Sequence, residues 1–476
     1  QEPGVITWML AAFCVYVFIL LVIGLCASRM QGPTSASHFI SGERSINWWV
    51  TAISAHAADM SSWLFMGFPA AIYMHGMIDI WVAVGLVSGM FMTWQYVAPA
   101  LRHATAHYKS PTLTSYFDSK YNDRTGGISL LSACIMTFFF TIYLAAGIKG
   151  VSDLLGSTFG LSGMVGGLST LAVILLYTLL GGFVAAAWVD FFQGIFLLVA
   201  ILVTAVLGYY TVGGYQAIIA AAQLKGISLS FWAKSSSAVE IVLGPIAWGL
   251  GYFGMPHILS KFMAAKDATL MYKSKYIGII WQTLALSGAL LAGFVGIAYF
   301  ASLANPESLF ITMTLQLFPT FIAGLILCGI LSATLSTMNA QMLVLGGIVS
   351  HDLYKKFYDV HATSNKLIWV FRCTIFIVSC IACAIAWYGT TSIFDLVQLA
   401  WGGLGASFGP LTLLSLYTHK INRYGAFWGI LSGGCAAIIW RVAGLTLCGY
   451  AVNEVVPGFI IGSILIIAIS RITSKK

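Results

Sequence analysis

One carboxylate lies inside a long apolar stretch, where a charge is costly. Residues 54–63 read SAHAADMSSW and place Asp59 near the middle of the second predicted membrane span. A charged side chain at that depth costs roughly 3 kcal/mol on insertion scales and marks a functional site by default. The small polar residues around it favour a helix that breaks or lines water. A carboxylate that only caps or braces a neighbouring helix is the alternative.

A second stretch is unsuited to a continuous helix. Residues 244–257 read GPIAWGLGYFGMPH, with two prolines and four glycines. Proline and glycine both weaken a helix interior. This span comes five spans after the one with Asp59, and interrupted helices at matching positions of two halves indicate a transporter site. The alternative is a kinked packing helix.

A third stretch, residues 331–341, reads LSATLSTMNAQ. At helical spacing, Ala333, Ser336, Thr337 and Ala340 share one face. Such a face permits close helix packing through small residues. It equally suits a sodium ion, because a hard cation prefers oxygen ligands, which hydroxyls and freed backbone carbonyls supply. The sequence leaves both interpretations open.

Three further residues could be either functional or structural, and the local sequence does not distinguish the two roles. Asp190 follows GGFVAAAWV near the inner end of the sixth span, where an aspartate is either interfacial or functional. His56 and His257 flank the two predicted breaks and could relay protons. Polar packing is the alternative for both histidines.

The composition indicates which elements must position these residues. Hydrophobic residues make up 59% of the 476 positions, charged residues 8%, and the mean hydropathy is +0.91. A soluble domain carries about 25% charged residues, so most of this surface must face lipid. The net charge of +8 resides in loops and is no nucleic-acid footprint. We therefore expect a single integral membrane domain over residues 1–476.

Apolar runs of this length have to be helices in lipid, because the backbone must satisfy its own hydrogen bonds there. The chain lacks the short alternating segments of a β-barrel. The sequence predicts about 13 transmembrane helices in an all-α membrane protein. The predicted spans are 5–30, 47–75, 77–101, 127–149, 161–180, 183–208, 240–263, 276–302, 317–349, 367–388, 393–416, 425–444 and 455–470.

Basic residues predict the orientation. If the N-terminus is outside, 19 of the 23 Lys and Arg residues fall on the inner side, Lys261 among them. Lys149, Lys225, Lys234 and Arg441 are left outside. Cytoplasmic loops carry the excess of Lys and Arg in membrane proteins. The N-terminus is therefore predicted outside and the C-terminus inside.

Five stretches resemble the sodium:solute symporter family, and within it the bacterial sodium/proline symporters. They occur in the family's order, and the fourth is the most specific: SAHAADMSSWLFMGFPAAIY, TFFFTIYLAAGIKG, YTLLGGFVAAAWVDFFQ, WGLGYFGMPHILSKFMAA and LSATLSTMNAQMLVL. The resemblance implies a LeuT-like fold with a five-plus-five inverted repeat. Residues 47–416 would form the ten-helix core, with one extra helix at 5–30 before it and two at 425–470 after it.

The resemblance also implies a set of site residues. The implied sodium ligands are the carbonyls of Ala57, Met60 and Ala333 and the hydroxyls of Ser336 and Thr337. The implied ion-coupling residues are Asp59, Ser61 and Asp190. The implied substrate-binding residues are Tyr143, Trp248, Tyr252 and Pro256. Asn339 and Ala340 replace hydroxyls that some relatives use for a second sodium, which predicts one sodium ion per substrate.

The implied function is sodium-coupled import of L-proline by alternating access across the bacterial inner membrane. Sodium would be the coupling ion, with no other cofactor and no nucleic-acid partner. Two alternatives stay open: symport of another amino acid, a sugar or a carboxylate, and a membrane solute sensor. The sequence has no nucleophile, metal or cofactor motif, so no enzyme activity is predicted.

Overall fold

The computed structural model describes residues 3–29, 35–232, 238–447 and 449–474. The secondary structure of the described residues is helical apart from one antiparallel hairpin, β1 (Thr446–Leu447) and β2 (Tyr450–Ala451), and an isolated bridge between Ile46 and Ala265. The helices are α1 Pro3–Arg29, α2 Ala36–Ser41, α3 Trp48–Asp59, α4 Gly67–His75, α5 Ile80–Met92, α6 Ala98–His107, α7 Leu113–Tyr121, α8 Gly127–Phe159, α9 Gly163–Thr211, α10 Gly214–Lys225, α11 Ala238–Gly251, α12 Pro256–Met263, α13 Met271–Tyr299, α14 Leu309–Leu317, α15 Thr320–Gly347, α16 Ser364–Tyr388, α17 Ile393–Tyr417, α18 Arg423–Val442 and α19 Val455–Thr473.

Short turns of tighter or wider helix connect several of these elements. The 3₁₀ turns are Gly42–Arg44, Ser62–Leu64, Met77–Asp79, Tyr252–Gly254 and Pro306–Ser308. Two π-helical segments continue helices without a break: Thr93–Val97 joins α5 to α6, and Ile348–Tyr358 extends α15.

Within the described residues, ten helical stretches are long and apolar enough to cross a membrane. They are Ile6–Ala27, Met77–His107, Gly127–Phe159, Gly182–Thr211, Met271–Tyr299, Thr320–Tyr358, Ser364–Tyr388, Ile393–Tyr417, Arg423–Val442 and Val455–Thr473. The all-helical membrane architecture is therefore confirmed. The remaining predicted spans, 47–75, 161–180 and 240–263, fall on interrupted or shorter helical segments, and the count of 13 stays a prediction.

Gly182 divides the 49-residue element α9. Its backbone has φ 60° and ψ −173°, which is not helical, between the predicted spans 161–180 and 183–208. A Cβ at this position would also lie 2.8 Å from the Phe39 ring. Both the backbone conformation and the close contact therefore require glycine.

Both predicted interruptions are present. The helix α3 ends at Asp59, Met60 leaves helical geometry with φ −86° and ψ 88°, and α4 follows after a 3₁₀ turn. In the second interrupted span, α11 ends at Gly251 and Met255 is extended with φ −84° and ψ 99°. Pro256 then opens α12, where a missing N–H costs nothing.

The first interrupted span is mostly buried in the bundle, whereas the second is mostly buried from Ala247 onward and partly exposed before it. The α3 helix packs against α9, α13 and α15, whereas α11 packs against α5 and α17. The α5–α11 contact is between backbones, since a Cβ on Gly85 would lie 2.2 Å from the Pro245 carbonyl oxygen. A Cβ on Gly89 would likewise lie 2.3 Å from the Cα of Gly249. Small residues make this approach possible.

Candidate functional site

The two breaks meet at one narrow pocket with a cavity volume of about 10 Å³. The first interrupted span and the second contribute most of its wall, and α5, α8 and α17 complete it. The lining residues are Asp59, Met60, Trp63, Leu86, Tyr143, Trp248, Tyr252, Val397 and Trp401. Five of the predicted functional residues therefore share a cavity: Asp59, Met60, Tyr143, Trp248 and Tyr252.

A short hydrogen-bond chain holds the carboxylate of this pocket. The Tyr252 hydroxyl donates to Oδ2 of Asp59 at 2.5 Å, and Nε2 of Gln282 donates to the same hydroxyl at 2.8 Å. Asp59 is 7% exposed. A hydroxyl donor stabilises an ionised carboxylate while leaving its charge in place. The chain thus fixes the orientation of Asp59 and links the two interrupted spans to α13.

Aromatic rings form the walls of the pocket. The Trp248 ring centroid lies 5.7 Å from Trp63, 5.7 Å from Phe394 and 6.1 Å from Trp401. Tyr252 meets Trp401 edge-on at 4.8 Å. The Trp401 indole N–H also donates to the Trp248 carbonyl at 3.2 Å, near the end of α11 where carbonyls lack helical partners. These rings form an apolar wall beside a single charged group.

Backbone and hydroxyl oxygens gather where α3 ends against α15. The Ser336 hydroxyl lies 2.7 Å from the Ala57 carbonyl oxygen and 3.1 Å from that of Ala333. The Thr337 hydroxyl lies 3.0 Å from the Ala333 carbonyl oxygen. Met60 is buried at the break where α3 ends. Such buried neutral oxygens are the ligands that a hard cation takes.

Asp190 and Pro256 lie outside this pocket. Asp190 forms a buried ion pair with Lys261, with 2.7 Å between Nζ and Oδ2. Pro256 lines a separate cavity with Phe183 and Ser260. Lys261 was predicted to be a charge on the inner side of the membrane, but its side chain is only 1% exposed. Lys261 therefore lies within the protein rather than in a solvated loop. The carboxylate of Asp190 supplies the counter-charge that makes this burial possible.

The two histidines have different surroundings. His56 accepts a hydrogen bond at Nε2 from the Trp94 indole at 3.0 Å and stacks on that ring. This geometry favours polar packing over proton relay for His56. His257 contacts the edges of Phe140 and Tyr143, beside the pocket wall.

The sequence analysis missed three residues that complete the site. Trp63 and Trp401 line the pocket, and Gln282 orients Tyr252. One signal was present: Trp401 is followed by glycines, as Trp248 is. In the structure Gly251 lets Trp401 approach α11, since a Cβ there would lie 1.9 Å from the indole nitrogen.

A helical membrane protein in which two interrupted helices meet at a buried polar pocket has the architecture of a secondary transporter. A profile of the sodium:solute symporter family matches residues 39–433. The chain belongs to the sodium:solute symporter family.

Relatives align over nearly the whole chain. The sodium/proline symporter of Escherichia coli (strain K12) is 38% identical over 473 residues, covering 98% of this chain and 93% of the relative. The osmoregulated proline transporter OpuE of Bacillus subtilis (strain 168) is 34% identical over 466 residues, covering 97% and 94%. These relatives bear the names of transporters, not of enzymes.

Solved structures share the fold. A sodium-coupled sialic acid symporter, in a substrate-bound outward-open state, superposes with a TM-score of 0.82 at 17% identity and covers 98% of both chains. The nucleobase-cation-symport transporter Mhp1 superposes with a TM-score of 0.54 at 17% identity, covering 92% and 94%. At these identities the likeness establishes a LeuT-like transporter fold and no more.

Proposed function

We propose that this chain is a sodium-coupled symporter that imports L-proline across the bacterial inner membrane by alternating access. The observation that carries the proposal is the meeting of the two helix breaks, where Tyr252 from one donates to Asp59 at the other. The aligned relatives named as sodium/proline symporters supply the substrate. The protein moves proline without altering it, and sodium is its coupling ion.

The pocket has the two surfaces that proline needs. A pyrrolidine ring packs against flat aromatic faces, which Tyr143, Trp248 and Tyr252 offer together with Trp63. The backbone N–H groups freed at the helix breaks carry partial positive charge and suit the carboxylate of the substrate. Pro256, at the start of α12, contributes through the position of that helix.

The proposed sodium ligands are the oxygens at the α3–α15 contact: the carbonyls of Ala57, Met60 and Ala333 and the hydroxyls of Ser336 and Thr337. An ion held between α3 and α15 fixes the conformation of the break at Met60, which is also part of the pocket wall. Sodium binding thereby shapes the pocket for proline. We assign ion coupling to Asp59, Ser61 and Asp190.

The driving force follows from the charge moved. One positive charge entering down 100 mV gains about 2.3 kcal/mol, which supports roughly fiftyfold accumulation before any concentration gradient contributes. We further propose one domain over residues 1–476, with 13 spans, an outside N-terminus and an inside C-terminus. Two five-helix repeats would lie within residues 47–416, which is consistent with the five-span interval between the two breaks.

Uptake of radiolabelled proline into proteoliposomes tests the proposal, with sodium, lithium and proton gradients imposed separately. We expect uptake to follow the sodium gradient and Asp59→Asn to abolish it. Asp359→Asn is the matched control, because that aspartate lies in a loop and pairs with Lys366. Full uptake by a normally inserted Asp59→Asn protein would refute the role of the carboxylate.

The same vesicles separate the alternatives. Another amino acid, a sugar or a carboxylate that accumulates while proline does not would change the substrate and keep the mechanism. Sodium-dependent proline binding without any accumulation would instead favour a sensor.

A further inference from the structure

A buried ion pair lies outside the pocket. The Lys261 ammonium is 2.7 Å from Oδ2 of Asp190, and the two side chains are 1% and 0% exposed. The ammonium also lies 4.9 Å from the centroid of the Phe183 ring. Lys261 is on α12, the second half of an interrupted span, and Asp190 is on α9, shortly after the kink at Gly182.

Such a pair is not explained by stability. Removing two charges from water is expensive, and a buried ion pair is often no better than an apolar pair of the same size. The pair therefore calls for a functional explanation. Its location supplies one, because α9 and α12 both pack against α15, the helix that carries Ser336 and Thr337.

We propose that the Lys261 ammonium is a tethered cation that neutralises Asp190 in place of a second sodium ion. This inference rests on the proposed function. An ammonium 2.7 Å from a carboxylate oxygen fills the place that a metal cation would take there. Its positive charge also repels a sodium ion approaching the same carboxylate. Asp190 therefore acts through Lys261, which makes Lys261 a residue that sets the number of coupled ions.

A tethered cation has a consequence for the energetics of transport. Sodium is released to solution in each cycle, whereas Lys261 stays attached to α12. The ammonium neutralises Asp190 but is not released across the membrane. It therefore adds no second ion gradient to the driving force for transport. The chain should therefore move one sodium ion, and one net positive charge, with each proline.

The experiment measures the sodium-to-proline ratio in proteoliposomes from the voltage at which net proline flux reverses. The wild type should give a ratio of one and a sodium Hill slope near one, since the slope cannot exceed the number of sites. Lys261→Met removes the charge with little change in length. It should raise the ratio and the slope towards two, because Asp190 loses the ammonium that neutralises it.

Two further variants make the result specific. Lys261→Arg keeps the positive charge and should keep a ratio of one. Lys261→Met combined with Asp190→Asn removes both charges, and its ratio should return to one. A ratio of two in the wild type, or an unchanged ratio of one in a transporting Lys261→Met protein, would overturn the inference.

Loss of activity also has a defined meaning. If Lys261→Met alone is inactive and the doubly neutral variant transports at a ratio of one, the carboxylate without its ammonium is the cause and the pairing is supported. If both are inactive, the wild-type ratio decides. Failure of the proposed function looks different, because the wild type would then show no sodium-driven proline uptake at all.

Discussion

The substitution Ser336→Ala tests the proposed sodium site most directly. The Ser336 hydroxyl contacts the Ala57 carbonyl at 2.7 Å, and that carbonyl lies in the last turn of α3, where helical partners run out. In the ion-bound protein the same hydroxyl oxygen would ligate sodium. Removing the hydroxyl therefore destabilises both the ion-free and the ion-bound protein. The difference between the two losses sets the change in sodium affinity.

The expected magnitude follows from the two contacts. A hydrogen bond or contact to a charged group is worth about 1.5–3 kcal/mol, and a neutral hydrogen bond about 0.5–1.5 kcal/mol. The ion-bound state therefore loses about 1–1.5 kcal/mol more than the ion-free state. We expect the sodium concentration for half-maximal uptake to rise roughly 5- to 13-fold.

The assay is proline uptake in proteoliposomes across a series of sodium concentrations. Ser332→Ala is the matched control: it lies one turn earlier on α15, is equally buried, and bonds Tyr16 of α1 at 2.6 Å and the Cys328 carbonyl. It should leave the sodium dependence unchanged. Equal shifts in both variants would mean a general loss of packing, and no shift in Ser336→Ala would remove this hydroxyl from the ion site.

Two other substitutions address the pocket. Trp248→Ala removes an aromatic wall whose apolar contact is worth roughly 1–3 kcal/mol. Calorimetry should therefore show proline affinity about 5- to 150-fold weaker and sodium affinity nearly unchanged. The control Trp369→Ala, at a residue on α16 that is 67% exposed, should alter neither affinity. Unchanged proline affinity in Trp248→Ala would place the pocket elsewhere. Gly251→Ala puts a methyl group 1.9 Å from the Trp401 indole nitrogen, and overpacking of this kind costs about 1–3 kcal/mol. Thermal unfolding and uptake should both be impaired, whereas Gly244→Ala, with open space around it, should behave like the wild type.

Features with a local physical cause were predictable from the sequence. The carboxylate of Asp59 among apolar residues and the glycines and prolines of residues 244–257 each marked a helix break that the structure contains. The predicted span 127–149 covers only the first part of α8. The helix continues to Phe159, and Lys149 bonds the Thr391 carbonyl at 2.5 Å. A charge can end a membrane span without ending the helix.

Features that depend on distant partners were not predictable. Lys261 appears in the sequence as one more basic residue after an apolar span, and only the fold brings Asp190 within 2.7 Å of it. The glycines after Trp401 were its only signal in the sequence, and its contact with Trp248 arises only where α17 meets α11. The short helices α10 and α14 were missed because they lie in loops between predicted spans, where the apolar run is too short to signal a crossing.

The interruptions at Met60 and Met255 also bear on how the chain enters the membrane. The ten stretches of the described chain that are apolar and long enough to cross unaided do not include α3–α4 or α11–α12. Each break leaves backbone groups that lipid cannot satisfy. In the structure α9, α13 and α15 pack against the first segment and α5 and α17 against the second, so neighbouring helices cover each break. The candidate site thus lies where the chain relies on neighbouring helices, rather than on its own continuous helix, to shield its backbone from lipid.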